Sequence, residues 1–171
     1  MSDPLYIKYH DTEWGLPLFD DQKIFEFLLL ETFQAGLSWI TILKKREKFR
    51  EAFDNFNYQK IANYTEKKLL ALSSDTRIIR NKLKIKAAKT NAIAFIEVEK
   101  EFGSFSKYIW RFVDGKPIQN NFSNLKAIPA NTPLSDKIKC MIQLYLDPLT
   151  EKKQQDLAEW LFSLLFVFVM V

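Results

Sequence analysis

Cysteine and histidine are almost missing from this sequence of 171 residues, which contains one of each, Cys140 and His10. A single cysteine excludes an internal disulfide framework and any zinc module built from several cysteines. Glycine and proline are also scarce, at 4 and 6 residues. Because the many tight turns of an all-β fold consume these two residue types, their scarcity favours a helical protein.

The residues that are present suit one globular domain with a single core. Hydrophobic residues make up 47% of the sequence and aromatic residues 15%, a composition that excludes a disordered chain. The sequence begins without a secretory signal, so we expect a cytoplasmic protein. An apolar run covers residues 161–171. Since a membrane span needs about 20 residues, we expect no membrane contact.

Charge is distributed unevenly, although the net charge is only +4. The first 31 residues contain seven acids and two lysines, whereas residues 44–50 and 77–89 are strongly basic. Basic strips of this kind bind nucleic-acid backbones when they lie on one face of a protein. Otherwise they are solvated helix faces, and the sequence leaves both interpretations open.

A first helix is predicted between Asp3 and Gly15, with Asp3 as its cap and Pro4 at its first position. Helical spacing places five aromatic or polar side chains on one side of this helix: Tyr6, Tyr9, His10, Glu13 and Trp14. Such a stripe belongs either to the core or to a binding pocket.

A second helix is predicted after Asp20 and Asp21, and its apolar spacing places Glu31 on the buried side. A buried carboxylate needs hydrogen-bond donors or a positive charge, because otherwise it takes up a proton. Two hypotheses follow for Glu31. It forms a structural salt bridge, or it accepts hydrogen bonds from a polar or cationic ligand.

Capping residues and apolar spacing predict further helices, with these limits: Ser38 to Phe53, a short helix after Thr65, Asn81 to Lys100, and Ser104 to Val113. Residues 34–39 form a tight corner before the first of them. The predicted fold class is therefore all-α.

Two long motifs, DPLYIKYHDTEWG over residues 3–15 and ETFQAGLSWITILKKR over residues 31–46, closely resemble the DNA-3-methyladenine glycosylase I family. The resemblance continues through residues 78–85 and 128–136, so it covers about residues 3 to 138. It implies a helix-hairpin-helix glycosylase-like domain over residues 1–138. The implied activity is base-excision repair, in which the enzyme flips 3-methyladenine out of alkylated DNA and hydrolyses its N-glycosidic bond.

The same resemblance implies roles for individual residues. Glu31 and Tyr9 recognise the base and support catalysis, and Trp39 stacks on the base. The Gly36–Leu37 corner fills the gap that the flipped base leaves in DNA. The implied partners are alkylated double-stranded DNA and the free 3-methyladenine base, and we expect the protein to act as a monomer.

Other candidates come from residue chemistry. Trp14 and Tyr6 are expected in the pocket wall, since an aromatic face attracts a desolvated cation by roughly 0.5 to 2 kcal/mol. Three basic residues are candidates for phosphate contacts: Lys44, Lys45 and Arg46.

The sequence departs from the family pattern in its metal ligands. The resemblance implies a structural zinc bound by a cysteine, by the histidine that matches His10, and by a His/Cys pair near the C-terminus. Only His10 matches, and structural zinc takes four ligands, so we expect an incomplete site. The hydrolysis itself requires no cofactor.

A second departure follows Lys137, where the family's Lys-Arg-Gly-Phe hairpin is replaced by unrelated sequence. Residues 139–171 are therefore expected to form a divergent C-terminal segment, either part of the same domain or loosely packed. A frameshift and genuine divergence both explain it. The alternative to an active glycosylase is an impaired protein that binds 3-methyladenine or DNA without turnover, and a destabilised gene product is a third hypothesis.

Overall fold

The computed structural model of the chain describes residues 3–118, 132–134 and 136–137. Eight α-helices lie within these residues: α1 Pro4–Thr12, α2 Asp21–Gln34, α3 Trp39–Leu43, α4 Arg46–Ala52, α5 Tyr58–Ala62, α6 Glu66–Ser74, α7 Lys82–Phe102 and α8 Phe105–Trp110. Two short 3-10 helices, Asp54–Phe56 and Arg111–Val113, complete the elements. The prediction of an all-α fold is confirmed for this part of the chain.

Most of the predicted helix caps are confirmed by hydrogen bonds, but the side chain of Ser38 makes no such bond to the backbone of α3. Five cap side chains accept a bond from a backbone N–H in the first turn of the following helix: Asp3, Asp20, Thr65, Asn81 and Ser104. At the end of α7, Gly103 adopts a φ of 82°, a left-handed conformation that suits glycine. These local signals place the helix boundaries close to the positions read from the sequence.

One predicted helix is wrong, because the segment from Ser38 to Phe53 forms two helices, α3 and α4, separated at Lys44 and Lys45. The amide of Lys45 bonds to the carbonyl of Ile42, three residues back, which tightens the turn and ends α3. The apolar spacing continues across the break, so periodicity alone could not reveal it. The short helix α5 was also not predicted, although Asn57 caps it by accepting a hydrogen bond from the amide of Lys60.

Helix α2 runs through the centre of the fold, where every residue from Ile24 to Phe33 is buried. Aromatic rings fill the space around it. Phe25 lies edge-on to Phe95 of α7, with ring centroids 5.2 Å apart, and Phe33 lies edge-on to Phe49 of α4 at 4.7 Å. The polar residues of α2 that lie within this buried stretch are therefore enclosed by the core.

Several predictions fall outside the described residues. These are the hairpin departure after Lys137, the boundary at residue 138, and the nature of residues 139–171. Among the residues that the structure does describe, no helix has both the length and the apolar character needed to cross a membrane.

Candidate functional site

Glu31 lies one turn before the end of α2 and is 6% exposed. Within the described part of the chain, no side chain forms a salt bridge with its carboxylate and no group donates a hydrogen bond to it. Burial raises the pKa of Glu31 to about 7, because removing water disfavours the ionised form. Of the two hypotheses for this residue, the structural salt bridge finds no partner among the described side chains.

Tyr9 of α1 is buried beside Trp39, the first residue of α3, with ring centroids 5.3 Å apart. Its ring also lies 6.3 Å from that of Phe27 on α2. Burial raises the pKa of Tyr9, and the negative charge of Glu31 raises it further. The structure therefore brings Tyr9, Trp39 and Glu31 into one cluster, although they come from three different helices.

Trp39 contributes an unused hydrogen-bond donor to this cluster. Its indole Nε1 is buried, and no acceptor among the described residues reaches it. Buried polar groups in proteins are almost always hydrogen-bonded, so an orphaned donor indicates a partner that binds. A buried acceptor on Glu31, a buried donor on Trp39 and the ring of Tyr9 together suit a flat ligand that is polar at its edge.

The structure places the other aromatic candidates less centrally. Tyr6 is 42% exposed and packs edge-on against Tyr9, with centroids 6.4 Å apart. Trp14 lies past the end of α1 and stacks on His10 at 5.2 Å. It makes no ring contact with Tyr9 or Trp39, so the structure joins Tyr6 to the cluster and leaves Trp14 beside it.

His10 is in no position to anchor a structural zinc with the described residues. Its Nδ1 atom lies 2.9 Å from a carboxylate oxygen of Asp11, and both side chains are exposed. Nowhere in the described ranges do three or more His, Cys, Asp or Glu side chains gather as metal ligands. The donors present here do not fit the four-ligand site that the resemblance implies.

The corner at Gly36 and Leu37 follows α2 directly. Gly36 has a φ of 81°, which an L side chain rarely adopts. The amide of Leu37 donates to the carbonyl of Gln34 at 2.6 Å, and Leu37 is 38% exposed. Lys84 of α7 anchors the corner, since its Nζ atom donates to the carbonyls of Phe33 and Ala35 at 3.0 and 2.6 Å.

The basic residues predicted to contact phosphate are engaged within the protein. Lys44 pairs with Asp3 at 2.9 Å but stays 60% exposed, and Lys45 donates to the carbonyl of Arg77 at 3.1 Å. Lys44 and Lys45 therefore remain candidates, since exposed pairs are weak.

Arg46 does not fit the phosphate contact predicted for it. Its side chain is only 15% exposed. Its guanidinium donates to both carboxylate oxygens of Glu13, at 2.8 and 2.7 Å, and to Glu26 at 2.7 Å. Sequence reasoning could not find these pairs, because the partners lie 33 and 20 positions away in the chain. It also missed the role of Lys84, because nothing in the sequence distinguishes this lysine from the others in the same basic stretch.

Comparisons with known proteins agree with the family resemblance of the sequence motifs. A profile described as methyladenine glycosylase matches residues 1–143. A DNA-3-methyladenine glycosylase of Haemophilus influenzae is 48% identical over 131 residues, which cover 77% of this chain and 71% of the relative. DNA-3-methyladenine glycosylase 1 of Escherichia coli is 44% identical over 137 residues, covering 80% and 73%. A crystal structure of 3-methyladenine DNA glycosylase I superposes with a TM-score of 0.88 at 38% identity, covering 99% of this chain and 91% of that one.

Proposed function

Because the chain belongs to the methyladenine glycosylase family, we propose that it is a DNA glycosylase that releases 3-methyladenine from alkylated DNA. The reaction is the hydrolysis of the N-glycosidic bond, the first step of base-excision repair. The oxygen of water bonds to the sugar carbon and water loses a proton to solvent, while the bond between that carbon and the base nitrogen breaks and its electron pair leaves with the base, which becomes neutral. The observation that carries the proposal is the buried carboxylate of Glu31 and the unpaired indole donor of Trp39, both of which lie close to Tyr9.

The chemistry of the substrate explains why such a pocket suffices. Methylation gives the base a positive charge while it is attached to the sugar, so the base is already a good leaving group. The enzyme must therefore recognise the flipped base and strain it, and it needs no strong general acid. Flipping costs a few kcal/mol, and a pocket that binds the extruded base offsets that cost.

Each residue of the cluster has a role in this proposal. Glu31 accepts hydrogen bonds from the edge of the base and complements its charge. A cationic base lowers the pKa of Glu31 from its raised value, since an opposite charge favours the ionised form. Trp39 stacks on the base, and Tyr9 contributes a second aromatic surface and its hydroxyl group. Tyr6 forms the outer wall, and Trp14 remains a candidate for the entrance.

The corner at Gly36 and Leu37 is proposed to enter the gap in the DNA stack. Its exposed leucine is apolar, and the two hydrogen bonds from Lys84 prevent the corner from yielding to the duplex. Apolar wedges of this kind stabilise a kinked or unstacked duplex.

The test is release of 3-methyladenine from methylated duplex DNA by the full chain. Glu31→Gln and Glu31→Ala are expected to slow release by about 100-fold, the effect of losing a hydrogen bond to a charged group in the transition state. Glu47→Gln, which removes an exposed carboxylate on α4, serves as the matched control. Undiminished release by both Glu31 variants would refute the role assigned to Glu31.

The alternative is a protein that binds the base without releasing it. It is favoured by the departure from the family pattern after Lys137. Binding of free 3-methyladenine with a change in tryptophan fluorescence, but with no turnover on DNA, would establish it. Added zinc is expected to leave the release rate unchanged, because the proposed chemistry uses no cofactor.

The divergent segment 139–171 has its own test. If a frameshift produced it, another reading frame downstream of codon 137 encodes the family's hairpin and His/Cys pair. Their absence from both other frames would leave genuine divergence as the explanation. We further propose that the protein works as a monomer in the cytoplasm, which sedimentation of the purified chain and cell fractionation would check.

A further inference from the structure

Helix α1 carries Tyr9 but is weakly attached to the core by apolar packing. Tyr9 is its one buried residue, and its neighbours Leu5, Tyr6 and Ile7 are 38 to 47% exposed. A helix of nine residues is not stable alone, because isolated helices shorter than about 12 residues are marginal in water. Its position therefore depends on other contacts.

Ion pairs to Lys44, which follows α3, and to Arg46, the first residue of α4, supply those contacts at both ends of α1. At the start of the helix, Asp3 pairs with Lys44. At its end, Glu13 receives two hydrogen bonds from one nitrogen of Arg46. The first pair is exposed and contributes little. In the second pair the Arg46 side chain is only 15% exposed, and both oxygens of Glu13 accept from it, so these charge-assisted bonds are the stronger ones.

Arg46 is itself fixed in place by α2. It donates to Glu26, a carboxylate whose side chain is 7% exposed, and its guanidinium lies over the ring of Phe27 at 5.0 Å. Burial alone would lower the pKa of Arg46, but Glu26 and Glu13 more than offset this, so its pKa lies above the usual value. The guanidinium of Arg46 therefore stays charged, and its contacts with Glu26 and Phe27 hold it against α2.

Phe27 also touches Tyr9, with ring centroids 6.3 Å apart. A continuous set of contacts thus runs from Glu13 through Arg46 and Phe27 to Tyr9. It connects the end of α1 with the same helix that carries Glu31 one turn further along.

We propose that Glu13 and Arg46 are positioning residues, whose ion pair holds α1 on α2 so that Tyr9 faces the base bound by Glu31 and Trp39. This proposal rests on the proposed function. It also differs from the sequence-based prediction for Arg46. A phosphate ligand acts on DNA affinity, whereas a positioning residue acts on the pocket.

The test compares Glu13→Ala with Glu47→Ala in the full chain. Glu13 and Glu47 are both glutamates that pair with an arginine, but the side chain of Glu47 is 77% exposed and its pair with Arg50 is long, at 3.5 Å. Glu13→Ala leaves Arg46 paired with Glu26, so the core retains a partner for that buried carboxylate. Glu13→Gln keeps one hydrogen-bond acceptor and is expected to be intermediate.

Three measurements separate positioning from stability: binding of free base, steady-state kinetics and hydrogen exchange of α1. Glu13→Ala is expected to weaken binding of free 3-methyladenine and to lower kcat by about 10-fold, the equivalent of one charge-assisted hydrogen bond. The KM for methylated DNA is expected to stay within about 2-fold, since no phosphate contact is lost. Hydrogen exchange of the α1 amides is expected to accelerate about 10-fold, whereas Glu47→Ala changes none of the three.

The outcomes are decisive in each direction. Unchanged α1 exchange, or faster exchange with unchanged base affinity and kcat, would overturn the positioning role. A raised KM with unchanged kcat would instead indicate that Arg46 and Glu13 contribute to DNA binding, as the sequence predicted for Arg46. If the wild-type chain releases no base, the proposed function fails, and α1 exchange together with binding of free base still decides whether the pair positions Tyr9.

Discussion

Glu31 and Trp39 show what single residues contribute to this site. Both carry buried polar groups for which the described residues offer no hydrogen-bond partner, and such groups lower the stability of the folded state. A protein keeps them when a ligand supplies the missing partner. Stability and function often oppose each other in this way at functional sites. Substitution of either residue is therefore expected to change stability and ligand affinity by different amounts.

The stability of the protein is expected to depend on pH through Glu31. Its pKa is raised from 4.5 to about 7 in the folded state, so the folded protein binds more protons between these values. Stability due to this group therefore falls as pH rises from 4.5 to 7. Glu31→Gln resembles the protonated acid and should be more stable than wild type at pH 8, by on the order of 2 kcal/mol.

Urea denaturation of both proteins at several pH values measures this difference. The advantage of Glu31→Gln is expected to disappear near pH 4, where wild-type Glu31 is protonated in the folded and unfolded chains alike. An equal stability difference at pH 4 and pH 8 would show that Glu31 does not titrate as its burial requires.

Trp39→Phe is expected to reduce base affinity with little loss of stability. The substitution removes a donor that has no partner among the described residues, so no intramolecular hydrogen bond is lost. Affinity for free 3-methyladenine should fall by about 10-fold, since part of the surface that stacks on the base disappears.

Trp110→Phe is the matched control for this prediction. Trp110 is also buried, but its Nε1 donates to the carbonyl of Leu18 at 2.8 Å. Its replacement should lower the free energy of unfolding by about 1 kcal/mol and leave base affinity unchanged. Calorimetric titration and urea denaturation of the two variants would expose the reverse pattern if Trp39 had a purely structural role.

At the scale of elements, α2 is held at both of its ends by contacts from distant parts of the chain. Near its start, Asp21 accepts hydrogen bonds from the backbone amides of Phe105 and Ser106 at 3.0 and 2.7 Å. At its end, Lys84 caps two carbonyls that have no partner within the helix. These two anchors determine where Glu31 lies and how the Gly36–Leu37 corner is presented.

Lys84→Met is expected to weaken this second anchor. It leaves the carbonyls of Phe33 and Ala35 without their charged donor, so stability should fall by about 2 kcal/mol. The rate of base release from DNA should fall, whereas the affinity for free base should change less, because the corner acts on the duplex. Lys86→Met, at an exposed position of the same helix, is the control. Equal effects of the two substitutions in denaturation and release assays would contradict the anchoring role.

The elements also show how far local signals extend. Asp3, Asp20, Thr65, Asn81 and Ser104 predicted the starts of five helices, because a cap depends on side chains only a few residues away. The break between α3 and α4 was missed, since the same apolar face continues across it. Helix α5 was missed although Asn57 caps it, because it is only five residues long and is held in place by packing against α7.

At the scale of the whole molecule, the basic stretches divide into cations used inside the protein and cations left on its surface. Arg46 and Lys84 form intramolecular bonds. Arg80 and Lys82 are exposed and pair with no described residue. The number of basic residues thus overstates how many cations can bind a DNA backbone. The exposed cations near the start of α7 are better candidates for phosphate contacts than Arg46.

DNA affinity is expected to depend on salt through these exposed cations. Lys82→Gln should reduce the slope of log K against log salt concentration by about 1 if Lys82 neutralises one phosphate. Lys100→Gln is the control, since Lys100 is exposed on the same helix about 27 Å away at a rise of 1.5 Å per residue. Equal slopes for wild type and Lys82→Gln, measured by fluorescence anisotropy, would exclude that contact.

The sequence by itself determined the helical class, most helix starts, the burial of Glu31 and the family, because scarce turn residues, caps, apolar spacing and long motifs are local. Tertiary structure decided which side chains meet. Tyr9 meets Glu31 and Trp39 from a different helix, and Arg46 joins Glu13 and Glu26. These pairings depend on how helices pack over distances of 20 positions or more, and no pattern along the chain encodes that geometry.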